Sequence, residues 1–191
     1  SVGSIADVDS AIATAKIAQN HWSALAIEER TTILFKAAAA MQEATPETIA
    51  VMSRDAGKTV AEADPEVAEA IDFARFYATT AQNFGESTPL GTILVVPPWN
   101  FPYAIPMGGV CAALAAGNSV ILKPAPETVA TAWEIVSHLW AGGVPKDVLQ
   151  FLPMLDDESG KYLVTHTGID GLILTGSFDT ASLFTSWRPE I

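Results

Sequence analysis

The sequence predicts an α/β protein in which a helical N-terminal segment precedes part of a doubly wound parallel sheet. Between residues 5 and 84, apolar residues recur at spacings of three and four, which is the period of an amphipathic helix. After residue 91, short β-branched runs alternate with helical stretches. These runs are apolar throughout, as strands are when helices cover both faces of a parallel sheet. We therefore divide the chain into a helical segment at 1–84, a linker at 85–91 and the first part of an α/β domain at 92–191.

Proline and glycine divide the N-terminal segment into helices. Thr45-Pro46 and Asp64-Pro65 each pair a capping residue with a proline at a helix start, and Gly57 stands where a helix end favours a left-handed residue. The linker is rich in glycine, serine and proline. Four helices are predicted, near residues 6–22, 28–43, 46–56 and 60–84.

The α/β part alternates strands with helices. The predicted strands are 92–96, 119–122, 148–152 and 171–174. The predicted helices between them cover about 102–116, 126–141 and 156–166. In an open parallel sheet a ligand binds beyond the carboxyl ends of the strands, where helix N-termini converge. The loops that follow the strands are therefore the first place to look for a site.

The charge balance excludes two classes of partner. The chain has 191 residues, with 10 basic and 22 acidic side chains and a formal net charge of −12. Nucleic-acid phosphates and anionic membrane surfaces need a basic face, so neither is expected as a partner. No apolar run approaches the ~18 residues that cross a bilayer, so no membrane span is expected.

A single cysteine, Cys111, excludes an intrachain disulfide and a multi-cysteine metal site, and no metal is expected. This cysteine usage fits a reducing compartment, and we expect a cytoplasmic protein. Apolar residues make up 49% of the chain and charged residues 17%, so the chain can bury a core. His21, His138 and His166 each stand near a predicted helix end and are interpreted as surface or capping residues.

Four loops follow the predicted strands and should lie along one edge of the sheet. Any one of them alone would be explained as turn punctuation. Together they bring a cation, Lys123, and a hydroxyl near a helix start, Ser177, to that edge, which suits a phosphorylated or nucleotide ligand. A strict Gly-x-Gly-x-x-Gly fingerprint is absent, which argues against an ordinary Rossmann dehydrogenase. The loops are Pro97–Pro102, Lys123–Pro126, Pro153–Asp157 and Thr175–Ser177.

Motifs in three of these loops resemble those of the aldehyde dehydrogenase superfamily, in the same order and with matching spacings. The segment Arg54–Thr59 resembles a stretch that precedes them in the family. The segment Asp64–Tyr77 is most similar to the L-glutamate γ-semialdehyde (pyrroline-5-carboxylate) dehydrogenases, including the dehydrogenase half of bifunctional proline-utilisation flavoenzymes. The likeness spans essentially the whole chain. The three motifs are Pro98–Pro102, Lys123–Ala125 with Thr128 behind it, and Leu174–Ser177.

The resemblance implies oxidation of an aldehyde to a carboxylic acid. In such enzymes a thiolate attacks the carbonyl, a hydride passes to NAD(P)⁺ and the resulting thioester is hydrolysed. Asn100 matches the amide donor that stabilises the oxyanion formed by this attack. Asn100 would also suit a cap of the helix predicted from Pro102, and both roles can hold.

The resemblance also implies that six residues bind the cofactor. Lys123 matches the lysine that binds the adenosine ribose, while Gly176 and Ser177 match a turn and a hydroxyl beside the pyrophosphate. The alternatives are a solvated charge for Lys123 and an ordinary helix cap for Ser177. The six residues are Pro98, Trp99, Lys123, Ala125, Gly176 and Ser177.

Two departures from the family pattern bear on the choice between NAD and NADP, and the second of them favours NAD. Pro126 and Glu127 follow the lysine motif, where the family often has an acid that holds ribose hydroxyls. Asp156 and Asp157 stand in the third loop, where they would repel the additional ribose phosphate of NADP.

The family's nucleophilic cysteine and general-base glutamate lie downstream of the Thr-Gly-Ser motif. Cys111 stands in an apolar stretch, where burial raises the pKa of a thiol, so it is not expected to replace that nucleophile. We therefore expect an N-terminal fragment that is inactive by itself. The implied partners of the full-length protein are a small aldehyde, a proline dehydrogenase domain in the same chain and further copies in a homo-oligomer. Two alternatives stay open: a non-catalytic structural or assembly module, and a superfamily reductase that acts on an acyl phosphate.

Overall fold

The computed structural model describes residues 3–83 and 88–190, which fold into eight α-helices and four β-strands. The predicted fold class is confirmed. The helices are Ile5–Ala24 (α1), Ile27–Glu43 (α2), Thr45–Ala56 (α3), Val60–Asn83 (α4), Ala104–Ala115 (α5), Val129–Gly142 (α6), Glu158–Thr165 (α7) and Phe178–Trp187 (α8). The strands are Thr92–Val96 (β1), Ser119–Leu122 (β2), Leu149–Phe151 (β3) and Gly171–Leu174 (β4). Of the predicted linker, residues 85–87 lie outside the described residues, and 88–91 contain neither helix nor strand.

Strand β1 lies inside a parallel sheet with the order β3-β2-β1-β4. Leu94 of β1 pairs with Ile121 of β2 on one side and with Leu172 of β4 on the other. Both rows of backbone N–H and C=O groups in this buried strand therefore face a hydrogen-bonding neighbour. Because all the strands are parallel, their carboxyl ends lie at one edge of the sheet.

Alternate residues of β1 face two different cores. Ile93 and Val95 belong to a large apolar cluster shared with α2, α3, α4, α5 and α6. Leu94 and Val96 belong to a second cluster with the first half of α1 and with α7. This alternation is the two-residue period of a strand. Of the N-terminal helices, α1 packs directly against the sheet on one face, whereas α2, α3 and α4 pack against α5 and α6, which contact the strands from the other side.

Helix α4 begins at Val60, which confirms the start predicted near residue 60. The interpretation of Asp64-Pro65 as a helix start is wrong, because both residues lie inside α4. The helix begins earlier because the Glu62 carboxylate accepts the backbone N–H of Thr59 at 2.9 Å and its hydroxyl at 2.7 Å. Gly57 has the left-handed conformation predicted for it, with a φ of 69°.

The prediction that His138 is a surface or capping residue is wrong. It stands inside α6 and is 8% exposed, and its Nδ1 lies 2.8 Å from the hydroxyl of the buried Tyr103. Burial raises the pKa of Tyr103, so its hydroxyl stays protonated and donates to Nδ1 in the tautomer of His138 that carries its proton on Nε2. Burial lowers the pKa of His138, although Glu134 lies 3.8 Å from its Nε2. A neutral histidine therefore joins α5 to α6. His166, in contrast, follows the last residue of α7, as predicted.

Helices α2 and α6 approach closely where α6 ends. A β-carbon on Gly142 would lie 2.6 Å from the Cα, the Cβ and the backbone nitrogen of Ala37. Two of these three atoms belong to the backbone of α2, which cannot move without shifting that helix. Only glycine therefore fits at this crossing.

We expect Gly142→Ala to lower the free energy of unfolding by about 1–3 kcal/mol, because the overpacked contact outweighs the better helix propensity of alanine. Urea unfolding of the chain measures this change. Ala130→Ser, on the exposed side of the same helix, is the control and should change it by less than about 0.5 kcal/mol. Equal stabilities of the Gly142→Ala variant and the wild type would contradict the close approach.

We expect the free energy of unfolding to fall as the pH is lowered from about 7.5 to about 5, in part because of His138. The pKa of His138 is lower in the folded chain than in the unfolded chain. Below the unfolded pKa, the unfolded state therefore binds the additional proton, and stability is lost as the pH falls further. His138→Gln keeps a hydrogen-bonding side chain beside Tyr103 without titrating, so its stability should fall less over this range. The exposed His21→Gln is the control, and equal pH dependence of the His138→Gln variant and the wild type would refute the assignment.

Candidate functional site

A cavity of about 760 Å³ lies beyond the carboxyl ends of β1, β2 and β4. All seven residues that the sequence singled out for a site line this cavity, so the fold brings them together. They come from the loops after three different strands, which a parallel sheet places side by side. The seven residues are Asn100 with Pro98, Trp99, Lys123, Ala125, Gly176 and Ser177.

Asn100 lies in the irregular loop between β1 and α5 and is exposed to the cavity. Helix α5 begins at Ala104 with Tyr103 as its N-cap residue. The first N–H groups are bound by Glu66 of α4, whose Oε1 accepts from Tyr103 at 2.9 Å and from Ala104 at 3.2 Å. The alternative in which Asn100 caps this helix is therefore wrong. Its amide group remains available to a ligand in the cavity.

Lys123 follows β2, and its backbone N–H bonds to the carbonyl of Val95 at 3.0 Å. Its side chain is only 3% exposed, and its Nζ lies 2.6 Å from an oxygen of Asp156. The alternative of a solvated surface charge is therefore wrong. The fold instead holds an ammonium group, paired with an exposed carboxylate, in the wall of the cavity.

The N-terminus of α8 opens toward the same cavity. Ser177 is the N-cap of this helix, and its Oγ accepts the N–H of Thr180 at 3.1 Å, so the alternative role of Ser177 as a helix cap is confirmed. The first turn of α8 is closed by a neutral hydroxyl, although it also contains Asp179. A helix N-terminus of this kind carries partial positive charge and attracts anions.

The neighbouring N-terminus of α7 is already occupied by a charge. Asp157 is its N-cap, and its carboxylate accepts bonds from the hydroxyl and the N–H of Ser159. These bonds lower the pKa of Asp157 below its ordinary value. An incoming anion therefore meets a negative cap at α7 and a neutral cap at α8, which makes α8 the better anion site.

An apolar wall completes the cavity, and the sequence motifs did not predict it. Phe184 and Trp187 of α8 stack with ring centroids 5.4 Å apart, beside Val164 and Leu183. The Nζ of Lys161 lies 5.7 Å from the Trp187 ring. Aromatic residues at a spacing of three in the last helix are the signal that could have indicated this wall. Such a wall suits a planar, partly apolar group.

Cys111 lies in the interior of α5, outside the residues that line the cavity, and is fully buried. Burial raises its pKa to about 12. It therefore stays a thiol at neutral pH and is a poor nucleophile.

Two absences hold for the described parts of the chain. Within residues 3–83 and 88–190, no group of three or more histidine, cysteine, aspartate or glutamate side chains is arranged to hold a metal ion. No helix in those same ranges is both long and apolar enough to cross a membrane.

A loop-lined cavity at the carboxyl edge of a parallel sheet, with a buried lysine and an open helix N-terminus, is typical of nucleotide-binding α/β proteins. The sequence profile of the aldehyde dehydrogenase family matches residues 1–186, and the chain belongs to that family. Its members generally use NAD(P)⁺.

The relatives that the chain resembles include longer proteins of two kinds. It is 40% identical over 181 residues to the bifunctional protein PutA of Klebsiella aerogenes. This alignment covers 93% of this chain and 14% of that protein. It is 39% identical over 186 residues to the 1-pyrroline-5-carboxylate dehydrogenase of Anoxybacillus flavithermus. That alignment covers 90% of this chain and 36% of the enzyme. The chain thus spans well under half the length of these relatives.

Solved structures with similar folds come from the same two kinds of protein. Proline utilization A (PutA) from Corynebacterium freiburgense superimposes with a TM-score of 0.90 and 41% identity, over 98% of this chain and 20% of that chain. A mutant of Thermus thermophilus 1-pyrroline-5-carboxylate dehydrogenase superimposes with a TM-score of 0.93 and 32% identity, over 98% of this chain and 39% of that chain.

Proposed function

We propose that this chain supplies the oxyanion donor and part of the NAD⁺ site of an enzyme that oxidises L-glutamate γ-semialdehyde to glutamate. The observation that carries the proposal is the position of Asn100. This amide lines the cavity while Glu66 takes over the helix-capping role that would otherwise explain an asparagine there. The aldehyde is chosen because relatives named 1-pyrroline-5-carboxylate dehydrogenase align over most of the chain.

The role of Asn100 is to stabilise charge on the substrate oxygen. When a thiolate adds to the aldehyde carbon, the carbonyl oxygen becomes an oxyanion. A fixed N–H donor aimed at that oxygen lowers the barrier by about 3–4 kcal/mol. The sequence has one cysteine, Cys111, and its burial and raised pKa make it unsuitable as this thiolate. We therefore propose that the nucleophile and the general base belong to the longer protein, and that the chain alone does not oxidise aldehydes.

The cavity lining fits a dinucleotide by the chemistry of its donors. We assign Lys123 to the hydroxyls of the adenosine ribose and the α8 N-terminus, with Gly176 and Ser177, to the pyrophosphate. The apolar wall of Phe184 and Trp187 is assigned to the adenine ring. When bound, NAD⁺ accepts the hydride. Pro98, Trp99 and Ala125 complete the contact surface.

NAD⁺ is the preferred cofactor in this proposal because of Asp156. Its carboxylate already neutralises Lys123 at 2.6 Å. The additional phosphate of NADP⁺ would lie beside this carboxylate and would gain no unpaired cation in return.

The full-length protein is proposed to carry a proline dehydrogenase domain and to form a homo-oligomer in the cytoplasm. Relatives that align over 93% and 98% of this chain are named bifunctional protein PutA and proline utilization A. Oxidation of proline followed by oxidation of glutamate semialdehyde would place both steps in one molecule. The excess of acidic residues supports the expectation that nucleic acid is not a partner.

Replacing Asn100 by alanine in the full-length protein should lower kcat for glutamate semialdehyde by about 10²–10³-fold, because the oxyanion loses its donor. The KM for NAD⁺ should change little. Steady-state NADH production measures both values. The exposed Asn20→Ala is the control. Unchanged kcat in the Asn100→Ala variant would refute the assignment, and absence of any oxidation of glutamate semialdehyde by the wild-type protein would refute the substrate.

Asp156→Asn should narrow the preference for NAD⁺ over NADP⁺ by about fivefold, because about 1 kcal/mol of repulsion is removed. Ligand-observed NMR on the chain measures both dissociation constants, for which we expect about millimolar or weaker values. Asp72→Asn changes the net charge equally on an exposed part of α4 outside the cavity and is the control. If the ratio of the two dissociation constants changes equally in both variants, the effect comes from the net charge rather than from Asp156.

A further inference from the structure

A carboxylate from the helical segment lies beneath the loop that carries Asn100. Glu66 belongs to α4, and its side chain is 1% exposed. Its Oε1 accepts the N–H groups of Tyr103 and Ala104 at 2.9 and 3.2 Å, which begin α5 directly after that loop. Negative charge is favoured here because this is the positive end of the helix dipole. Glu66 therefore fixes the point at which the loop becomes a helix.

Lys58 joins this carboxylate to the loop itself. Its Nζ bonds to Oε2 of Glu66, and it also lies 4.4 Å from the centroid of the Phe101 ring. Phe101 is the residue next to Asn100, and a cation over an aromatic face is attractive. One ion pair thus contacts the chain at Phe101 and again at Tyr103 and Ala104.

We propose that Glu66, held by Lys58, is a positioning residue that orients the amide of Asn100. The inference rests on the proposed function of Asn100 as an oxyanion donor. Trp99, Asn100 and Phe101 are exposed and lie outside regular secondary structure, so packing in the described chain contributes little to their orientation. An oxyanion donor is effective only when its direction is fixed before the reaction. The ion pair supplies that fixation through its contacts with Phe101, Tyr103 and Ala104.

The arrangement is better suited to positioning than to stability. Two charges withdrawn from water contribute little net stability, because their desolvation offsets their attraction. Glu66 also contacts the α5 start with the same oxygen twice, which defines one direction for that helix. Removing only one charge leaves its buried partner uncompensated and lowers stability as well, so each single variant must be shown to fold before its loop is compared with that of the wild type.

Hydrogen exchange in the full-length protein tests the geometry. Glu66→Gln weakens the acceptor of the Tyr103 and Ala104 N–H groups, so the peptide that covers residues 98–107 should exchange about tenfold faster at those two amides. Exchange of β2 should stay unchanged. Glu69→Gln lies on the exposed face of the same helix and is the matched control. Lys58→Met is a second variant, which leaves both carboxylate bonds to α5 in place and should loosen the loop chiefly at Phe101.

Kinetics test whether this geometry acts through Asn100. Glu66→Gln should lower kcat about 10- to 100-fold, with the KM for NAD⁺ nearly unchanged, as expected for a donor displaced by about 1 Å. In an Asn100→Ala background the same substitution should cost less than about twofold, because the group that it orients is already absent. Lys58→Met should lower kcat in the same way, and Glu69→Gln should not.

The outcomes separate the two proposals. Unchanged exchange at Tyr103 and Ala104 in a folded Glu66→Gln variant would overturn the positioning role. An equal fold-decrease of kcat on Glu66→Gln in the wild-type and Asn100→Ala backgrounds would also overturn it, because Glu66 would then act independently of Asn100. If Asn100→Ala has no effect on kcat, the proposed function fails, while the exchange data still decide whether Glu66 fixes the loop. If Glu66→Gln does not fold, Lys58→Met decides by exchange at Phe101 and by kcat in the wild-type and Asn100→Ala backgrounds, and unchanged values of both would overturn the positioning role.

Discussion

The pairing of β1 with strands on both of its sides is the constraint on which the site depends. A strand this deeply buried must satisfy its backbone groups from both neighbours, and parallel neighbours do so only when all carboxyl ends lie together. That arrangement brings the loops after β1, β2 and β4 to one edge, where they enclose the cavity. The position of the site therefore follows from the core, although Lys123 is the one polar side chain of the cavity lining that is buried and it belongs to neither apolar cluster.

Charge at the helix N-termini determines where an anion can bind on a protein with a net charge of −12. The start of α5 is occupied by Glu66 from a distant helix, and the start of α7 by its own cap, Asp157. The first turn of α6 is bound by the carboxylate of Asp55, which accepts the N–H of Thr131. Of the four helices α5, α6, α7 and α8, only α8 has a start that is capped by a neutral hydroxyl. The acidic chain thus keeps one place at this edge where the helix dipole is not cancelled by its cap.

The sequence predicts most of the sheet because continuous apolar runs such as 92–96 have few alternative structures, and the order of the loops then follows from parallel topology. It does not predict Glu66 as the cap of α5, since the two are far apart in the chain and one glutamate in a helix looks like any other. The sequence does not predict the burial of His138 for a similar reason, because that burial depends on how α6 packs beside Tyr103 at the start of α5. Asp64-Pro65 has the pattern of a helix start, but Thr59 and Glu62 already form the start of α4 a few residues earlier. Local sequence pattern therefore predicts the helices and strands. Helix caps from distant residues and the burial of single side chains depend on contacts between elements that are far apart in the chain.

Cys111 acquires a use from its position. It is the one cysteine of the sequence and is fully buried, with a raised pKa. An alkylating reagent cannot reach its sulfur while α5 is packed, so modification proceeds only through molecules that have opened. When closing is faster than alkylation, the rate of alkylation followed by mass is therefore proportional to the open fraction of the chain. The native sulfur therefore reports conformational opening, and no cysteine has to be introduced by mutation.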